Sequence, residues 1–193
     1  MILWQRKAYR LVMGSVFPLV YYFSSKIPAL IVTGFFLSLM VFFEIERLKH
    51  PGVYKWVLTH LGGIFKVKVG KLTGTTYFLI ATFVLILFFE RGVAIASLLF
   101  LILGDAASTL VGVNYGRIKL FKGKTLEGSL AFLAIDLLVG LLLLTLPKIS
   151  IEPFVLLSGA FAATLTELLP LQVDDNLSVG IFAAVIMQIG RMI

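Results

Sequence analysis

Cysteine is absent from all 193 residues, which excludes disulfide staples, thiolate metal sites and a cysteine nucleophile. Histidine is nearly as scarce: His50 and His60 are solitary, support no zinc site, and read as surface or interfacial residues. Charge is thin as well, at 14% of residues against 60% hydrophobic, with a mean hydropathy of +1.04. That balance lies outside the range of soluble domains and predicts an all-α integral membrane protein. At roughly 20 residues per span, the length has room for about six or seven helices in a single polytopic domain over 1–193. It leaves none for a separate soluble catalytic domain, so chemistry has to use helix ends and loops. No internal repeat and no low-complexity tract is present, and repeat-based transporter architectures gain no support.

Seven apolar runs bounded by charges or turn residues predict spans over about 9–24, 28–43, 75–89, 93–113, 128–146, 153–170 and 177–191. The first run has a basic start but no A-x-A-like site followed by a polar region, and reads as a retained helix. Several runs are shorter than a full span, which predicts tilt or partial burial. The net charge of +7 is a matter of topology here, not of nucleic-acid binding. Alternating the spans from a cytoplasmic N-terminus puts thirteen of the 17 Lys and Arg residues inside. Lys26, Arg91, Lys148 and Arg191 fall outside, one per segment. The positive-inside rule therefore favours N-terminus cytoplasmic and C-terminus outside.

The inner segment 44–74 predicts an interfacial helix over 53–61, where Trp56 stands among Lys55, Thr59 and His60. Residues 65–69 alternate apolar and basic, as an extended segment would.

The acids gather on the same side as the bases. Glu44, Glu46, Asp105, Glu127, Asp174 and Asp175 come inside at or near helix ends, and Glu167 lies one turn before Pro170. Asp105 is eight residues before Val113, about 12 Å up the helix at 1.5 Å per residue. Ionisable groups at such depth mark function or pair with a lysine to lock two helices. Gly104, Ser108 and Gly112 form a small-residue face beside it, suited to close helix packing or to close approach of a ligand.

Past this helix, Arg117, Lys119, Lys122 and Lys124 make a basic loop, and Thr125, Glu127, Gly128 and Ser129 open the next helix. The GKT at 123–125 is not a P-loop, since Ile118 stands where the first glycine belongs. Basic side chains and free N–H groups at a helix start still make an anion site. Glu127 there complements the helix dipole or serves as a metal ligand or general base. Asp174, Asp175 and Asn176 are ordinary helix caps, and also hard oxygen ligands of the kind Mg²⁺ takes together with phosphate. Lys71, Thr73 and Gly74 open the third span: either Thr73, Thr75 or Thr76 simply caps it, or Lys71 and the free N–H groups there add to phosphate binding. Asp136, mid-span in the fifth run, reads as a polar contact between helices.

The segments GDAASTLVG (104–112), GKTLEGSLAF (123–132) and TELLPLQVDDNLSV (166–179) together resemble the CTP-dependent lipid kinase family, which includes dolichol, phytol and farnesol kinases and the yeast-type diacylglycerol kinase. KLTGTTYF (71–78) and the Arg6–Lys7 pair agree more loosely. Members often carry a histidine shortly after that pair, where this chain has Tyr9 and Arg10. The size matches the compact phytol kinase-like members. The resemblance implies transfer of the γ-phosphoryl group of CTP to the hydroxyl of a lipid alcohol, whether polyprenol or dolichol, a phytol-type isoprenoid, or diacylglycerol, at the cytoplasmic face of the bilayer. It implies Lys71, Thr73, Gly74, Ser108, Arg117, Lys119, Lys122, Lys124 and Ser129 as nucleotide and phosphate contacts. Asp105, Glu167, Asp174, Asp175 and Asn176 would be ligands of Mg²⁺ or another divalent cation, with Asp105 or Glu127 as the base. Two rivals remain: a lipid cytidylyltransferase, whose HGG and DR signature is missing, and a small transporter, which predicts polar groups near the midplane.

Overall fold

The computed structural model describes residues 2–61 and 70–192, the side chains at 2–6, 61 and 122 excepted. The described residues are helical with no strand. The helices are α1 (Ile2–Phe23), α2 (Lys26–Lys49), α3 (Pro51–Leu61), α4 (Gly74–Phe88), α5 (Arg91–Leu99), α6 (Asp105–Tyr115), α7 (Leu126–Leu144), α8 (Pro153–Leu168) and α9 (Asp175–Gly190). A π-helical turn, Phe100–Gly104, joins α5 and α6 into one continuous rod. Each of the seven apolar runs becomes a helix, five of them within two residues of the expected limits, whereas α1 starts seven residues earlier than expected and α2 ends six residues later; the interfacial run becomes α3. The extended segment expected at 65–69 lies outside the described residues.

The helix starts follow local chemistry. Thr125 caps α7, its side-chain oxygen accepting from the N–H of Gly128 at 3.1 Å. Asp174 does the same for Asn176 at 3.0 Å in α9, and Pro153 begins α8, where its missing N–H costs nothing.

Among the described residues, three stretches are long and apolar enough to cross a membrane: Lys26–Lys49, Arg91–Tyr115 and Leu126–Leu144. The most apolar window of α2 is only 17% buried, and Ile27, Ile31, Phe35 and Phe42 stand exposed along it. An apolar face of that length is a liability in water and is at home in lipid. α4, α8 and α9 have 15 or 16 residues, about 23 Å at the helical rise, less than the hydrocarbon thickness of a bilayer.

The rod Arg91–Tyr115 is the core. Residues 92–98 are buried throughout, as are Phe100, Leu101 and Ile102 of the π turn. Around it, α8 and α9 pack closely, α6 packs on α7, α2 on α4, and α1 on α5 and the π turn. Gly104 permits the α7 contact, because a Cβ there would stand 2.6 Å from the Phe132 ring and 2.7 Å from Asp136 Oδ1. Gly112 and Gly128 face each other lower on the same interface. The small-residue face therefore serves helix packing. Asp136 does lie at a helix contact, but it is fully buried against Gly104 and neither oxygen has a hydrogen-bond partner.

The helices run alternately, so the bundle has two polar ends. One collects the turn between α1 and α2, the start of α5, the start of α8 and the end of α9. There Arg91 donates to the Ser24 carbonyl at 2.7 Å, and Arg191 pairs with Glu90 and Glu152. The other collects the starts of α1, α4, α7 and α9 and the ends of α2 and α8, and holds the candidate site.

Candidate functional site

At this second end a cavity of about 900 Å³ lies between α1, α2, α4 and the 171–176 turn. Its chemistry changes along its length. Lys7, Arg10, Lys71, Asp105, Asp174, Asp175 and Asn176 line the polar part, and Met13, Phe17, Phe36, Leu39 and Phe78 the apolar part.

The π turn delivers Asp105 into this space as the first residue of α6. π turns are frequent at functional sites, since the extra residue re-aims the side chains that follow it. Oδ2 of Asp105 pairs with Lys7 Nζ and accepts from Arg10 Nη1 at 2.8 Å. The two cations are three residues apart on α1, which places them on one helix face. Arg10 Nε and Nη2 are buried without a partner, leaving the guanidinium with donors to spare.

A second network fixes the Lys71–Gly74 segment. Glu44, 2% exposed, and Arg47, 1% exposed, pair within α2. Glu44 Oε1 accepts from the Thr73 N–H at 2.7 Å and the Thr76 hydroxyl at 2.8 Å, and Arg47 donates to the Lys71 carbonyl at 2.7 Å. The carboxylate thus supplies the acceptor that an exposed cap residue would supply at the α4 start. It holds Lys71 and Gly74 at the cavity wall. Gly74 faces Asn176 closely, a Cβ there standing 2.7 Å from its Nδ2.

A third group sits behind the 174–176 turn. Lys124 pairs with Glu167 Oε1 at 3.3 Å and with Asp175 at 3.1 Å, joining the starts of α7 and α9 to the end of α8. It also donates to the Glu167 carbonyl. Ser108 is directed at Glu167, at 3.5 Å, and does not line the cavity.

Of the residues singled out in the sequence, Asp105, Lys71, Gly74, Asp174, Asp175 and Asn176 meet in one cavity, with Lys124 and Glu167 joined to it through Asp175. Thr73 is buried as part of the α4 cap. Others are placed elsewhere. Glu127 turns back on its own loop, its carboxylate accepting from the Ile118 N–H at 3.2 Å, and with Arg117 it lines a separate shallow recess. The reason is local: Ile118 and Leu120 bond to Leu126 and Lys124 across a tight turn, with Gly123 at φ +76°, and this exposes Lys119 outward. The N–H of Gly128, expected to help bind an anion, is taken by Thr125. Ser129 is buried away from the cavity. The side chain of Lys122 lies outside the described residues.

Sequence reasoning underweighted Lys7 and Arg10 and passed over the Glu44–Arg47 pair. A readable signal existed for both: ionisable residues three apart within an apolar helix, which is costly unless each pairs or serves a site.

For a divalent cation, no three His, Cys, Asp or Glu side chains converge among the described residues. The 174–176 turn nonetheless offers two carboxylates and an amide oxygen at the cavity wall, and Asn176 Oδ1 is buried with no partner. That donor set fits Mg²⁺, which takes one or two carboxylates and leaves its other positions to water and phosphate. It does not make a closed cage.

No family model matches the chain. It is similar to an uncharacterized protein of Rickettsia prowazekii (strain Madrid E), 24% identical over 170 residues, covering 85% of this chain and 83% of that one. No solved structure matches.

Proposed function

We propose that this chain is a membrane lipid kinase that transfers the γ-phosphoryl group of CTP to the hydroxyl of a lipid alcohol. The observation that carries this reading is the cavity of about 900 Å³, cationic and oxygen-rich at one part and apolar at the other, because the reaction joins a polyanion to a greasy alcohol. CTP as donor, and isoprenoid alcohols or diacylglycerol as acceptors, come from the resemblance of the 104–112, 123–132 and 166–179 segments to CTP-dependent lipid kinases.

Phosphoryl transfer is mainly positioning and charge stabilisation. Lys7, Arg10 and Lys71 hold the triphosphate, and Arg10 has unpartnered donors to give it. Asp174, Asp175 and Asn176 would hold Mg²⁺, which would supply positive charge to offset that of the phosphates. The alcohol oxygen bonds to the γ-phosphorus as the bond from that phosphorus to the β–γ bridging oxygen breaks, releasing CDP. Of the two candidate bases, Glu127 is committed to its loop, so Asp105 takes the hydroxyl proton. The transition state is loose, so location matters more than base strength, and Asp105 stands where cations and cavity meet. We place seven spans in the bilayer, N-terminus cytoplasmic and C-terminus outside. The alternating run of the helices and the gathering of Lys and Arg at the site end support that arrangement.

The test is phosphorylation of a total lipid extract with γ-labelled CTP, UTP, ATP or GTP, read by mass spectrometry. A lipid monophosphate formed best from CTP is expected. A CDP-lipid, which carries no γ-label but is seen by its mass, would make the chain a cytidylyltransferase, and neither a lipid monophosphate nor a CDP-lipid with any nucleotide would return it to the transporter class.

A further inference from the structure

We propose that the acceptor reaches the site sideways, from the bilayer, through a portal between α1 and α2 framed by Met13, Phe36 and Leu39. Its occupant is a single-chain lipid alcohol. This rests on the lipid-kinase reading and adds a route to it.

The two helices are joined at one end by the short turn at Ser24 and Ser25 and are engaged by different neighbours, α1 by α5 and the π turn, α2 by α4. The cavity fills the wedge between them at the other end. On α2 the cavity-lining residues Phe36, Leu39, Met40 and Phe43 share one face. Leu39 is also four residues from Phe35 and three from Phe42, both on the exposed apolar stripe, so it stands on the boundary between cavity and outer surface. On α1, Met13 holds the same position, three residues from Arg10 in the cavity and three from exposed Val16. Met13, Phe36 and Leu39 line the cavity and are 42%, 39% and 51% exposed. Phe17, 7% exposed, forms the back wall, edge-on to Phe36 at 5.9 Å and to Phe78 at 6.0 Å.

The gradient along the cavity selects the occupant. A hydroxyl is wanted beside Asp105, Lys7 and Arg10, and a single apolar chain beside Met13, Phe36 and Leu39. A volume of about 900 Å³ is at the upper end of what encloses one small ligand. It holds a head group and the first part of a chain, and the remainder of a long alcohol has to leave through an apolar opening. α2, with its window only 17% buried, turns its apolar stripe outward beside that opening.

A diazirine-bearing 20-carbon isoprenoid alcohol is photolysed with the full-length protein in liposomes, without nucleotide, and the adducts are mapped by mass spectrometry. Adducts on Met13, Phe36 or Leu39, chased by excess unlabelled alcohol and reduced in Leu39→Trp, are expected. Leu39→Trp is also expected to raise the KM for the long alcohol about tenfold with the KM for CTP and kcat unchanged, the pattern of lost ground-state binding. Adducts spread over the exposed Leu138, Leu141 and Phe182, or adducts that excess alcohol does not displace, would overturn the portal while leaving phosphoryl transfer intact. Displaceable adducts at α1 and α2 with no phosphoryl transfer from any nucleotide would uphold the alcohol site and remove the kinase reading.

Discussion

The two polar ends of the bundle use charge in opposite ways. At the end holding the turn between α1 and α2, Glu90, Arg91, Lys148, Glu152 and Arg191 each have a defined local partner. Arg191 spans Glu90 and Glu152, Gln188 donates to Glu90 at 3.1 Å, and Lys148 lies over the rings of Tyr22 and Phe23. At the site end charge is concentrated and left incomplete. Two cations converge on one oxygen of Asp105, two buried nitrogens of Arg10 are unpartnered, and so are Glu167 Oε2 and Asn176 Oδ1. Buried polar groups are nearly always satisfied. The unpartnered ones on Arg10 and Asn176 belong to residues that line the cavity, which singles out this end for binding, whereas the other end is a clamp.

The sharpest way to break that comparison is Asp105→Asn. The amide keeps the shape of the carboxylate but removes the charge that pairs with Lys7 and Arg10 and that, in the proposed reaction, takes the proton. We expect phosphoryl transfer to fall by at least about 10²–10³-fold, the scale of losing one preorganised electrostatic group, with helix content by circular dichroism and membrane insertion unchanged. Retained activity would remove Asp105 from the site. Next in size is Glu44→Gln. Removing one partner of a buried ion pair costs about 3–5 kcal/mol, because Arg47 is left charged and uncompensated. The expected result is a lower thermal midpoint in detergent together with a raised KM for CTP, since the Lys71–Gly74 wall loosens. An unchanged KM would make the pair a stability element alone.

How far the sequence anticipated this depends on which contacts are local. The helices were legible because each apolar run is bounded by its own charges and caps, such as Thr125 and Asp174. Asp105 and the 174–176 turn were legible because acids are rare in so apolar a chain. The partner of Asp105 was not, since Lys7 and Arg10 lie 98 and 95 residues away in sequence and only the fold brings α1 against the π turn. Glu127 misled for the converse reason. Its sequence neighbourhood is full of bases, but the tight turn around Gly123 exposes Lys119 outward and brings the Ile118 N–H to the carboxylate. The apolar boundary at Leu39 was invisible too, because nothing in a run of Leu, Phe and Val distinguishes a wall from a door.

The smallest effect belongs to the clamp. In Arg191→Ala both ion pairs to Glu90 and Glu152 are lost, but those carboxylates are 50% and 58% exposed and remain hydrated when released. Ion pairs with exposed partners contribute about 1 kcal/mol or less, so the thermal midpoint should move only slightly. KM for CTP and for the alcohol should stay at their wild-type values, because no residue of this end lines the cavity. A shift in either KM would mean that the two ends communicate through the central rod Arg91–Tyr115. The π turn above Asp105 would then transmit strain and not merely aim a side chain.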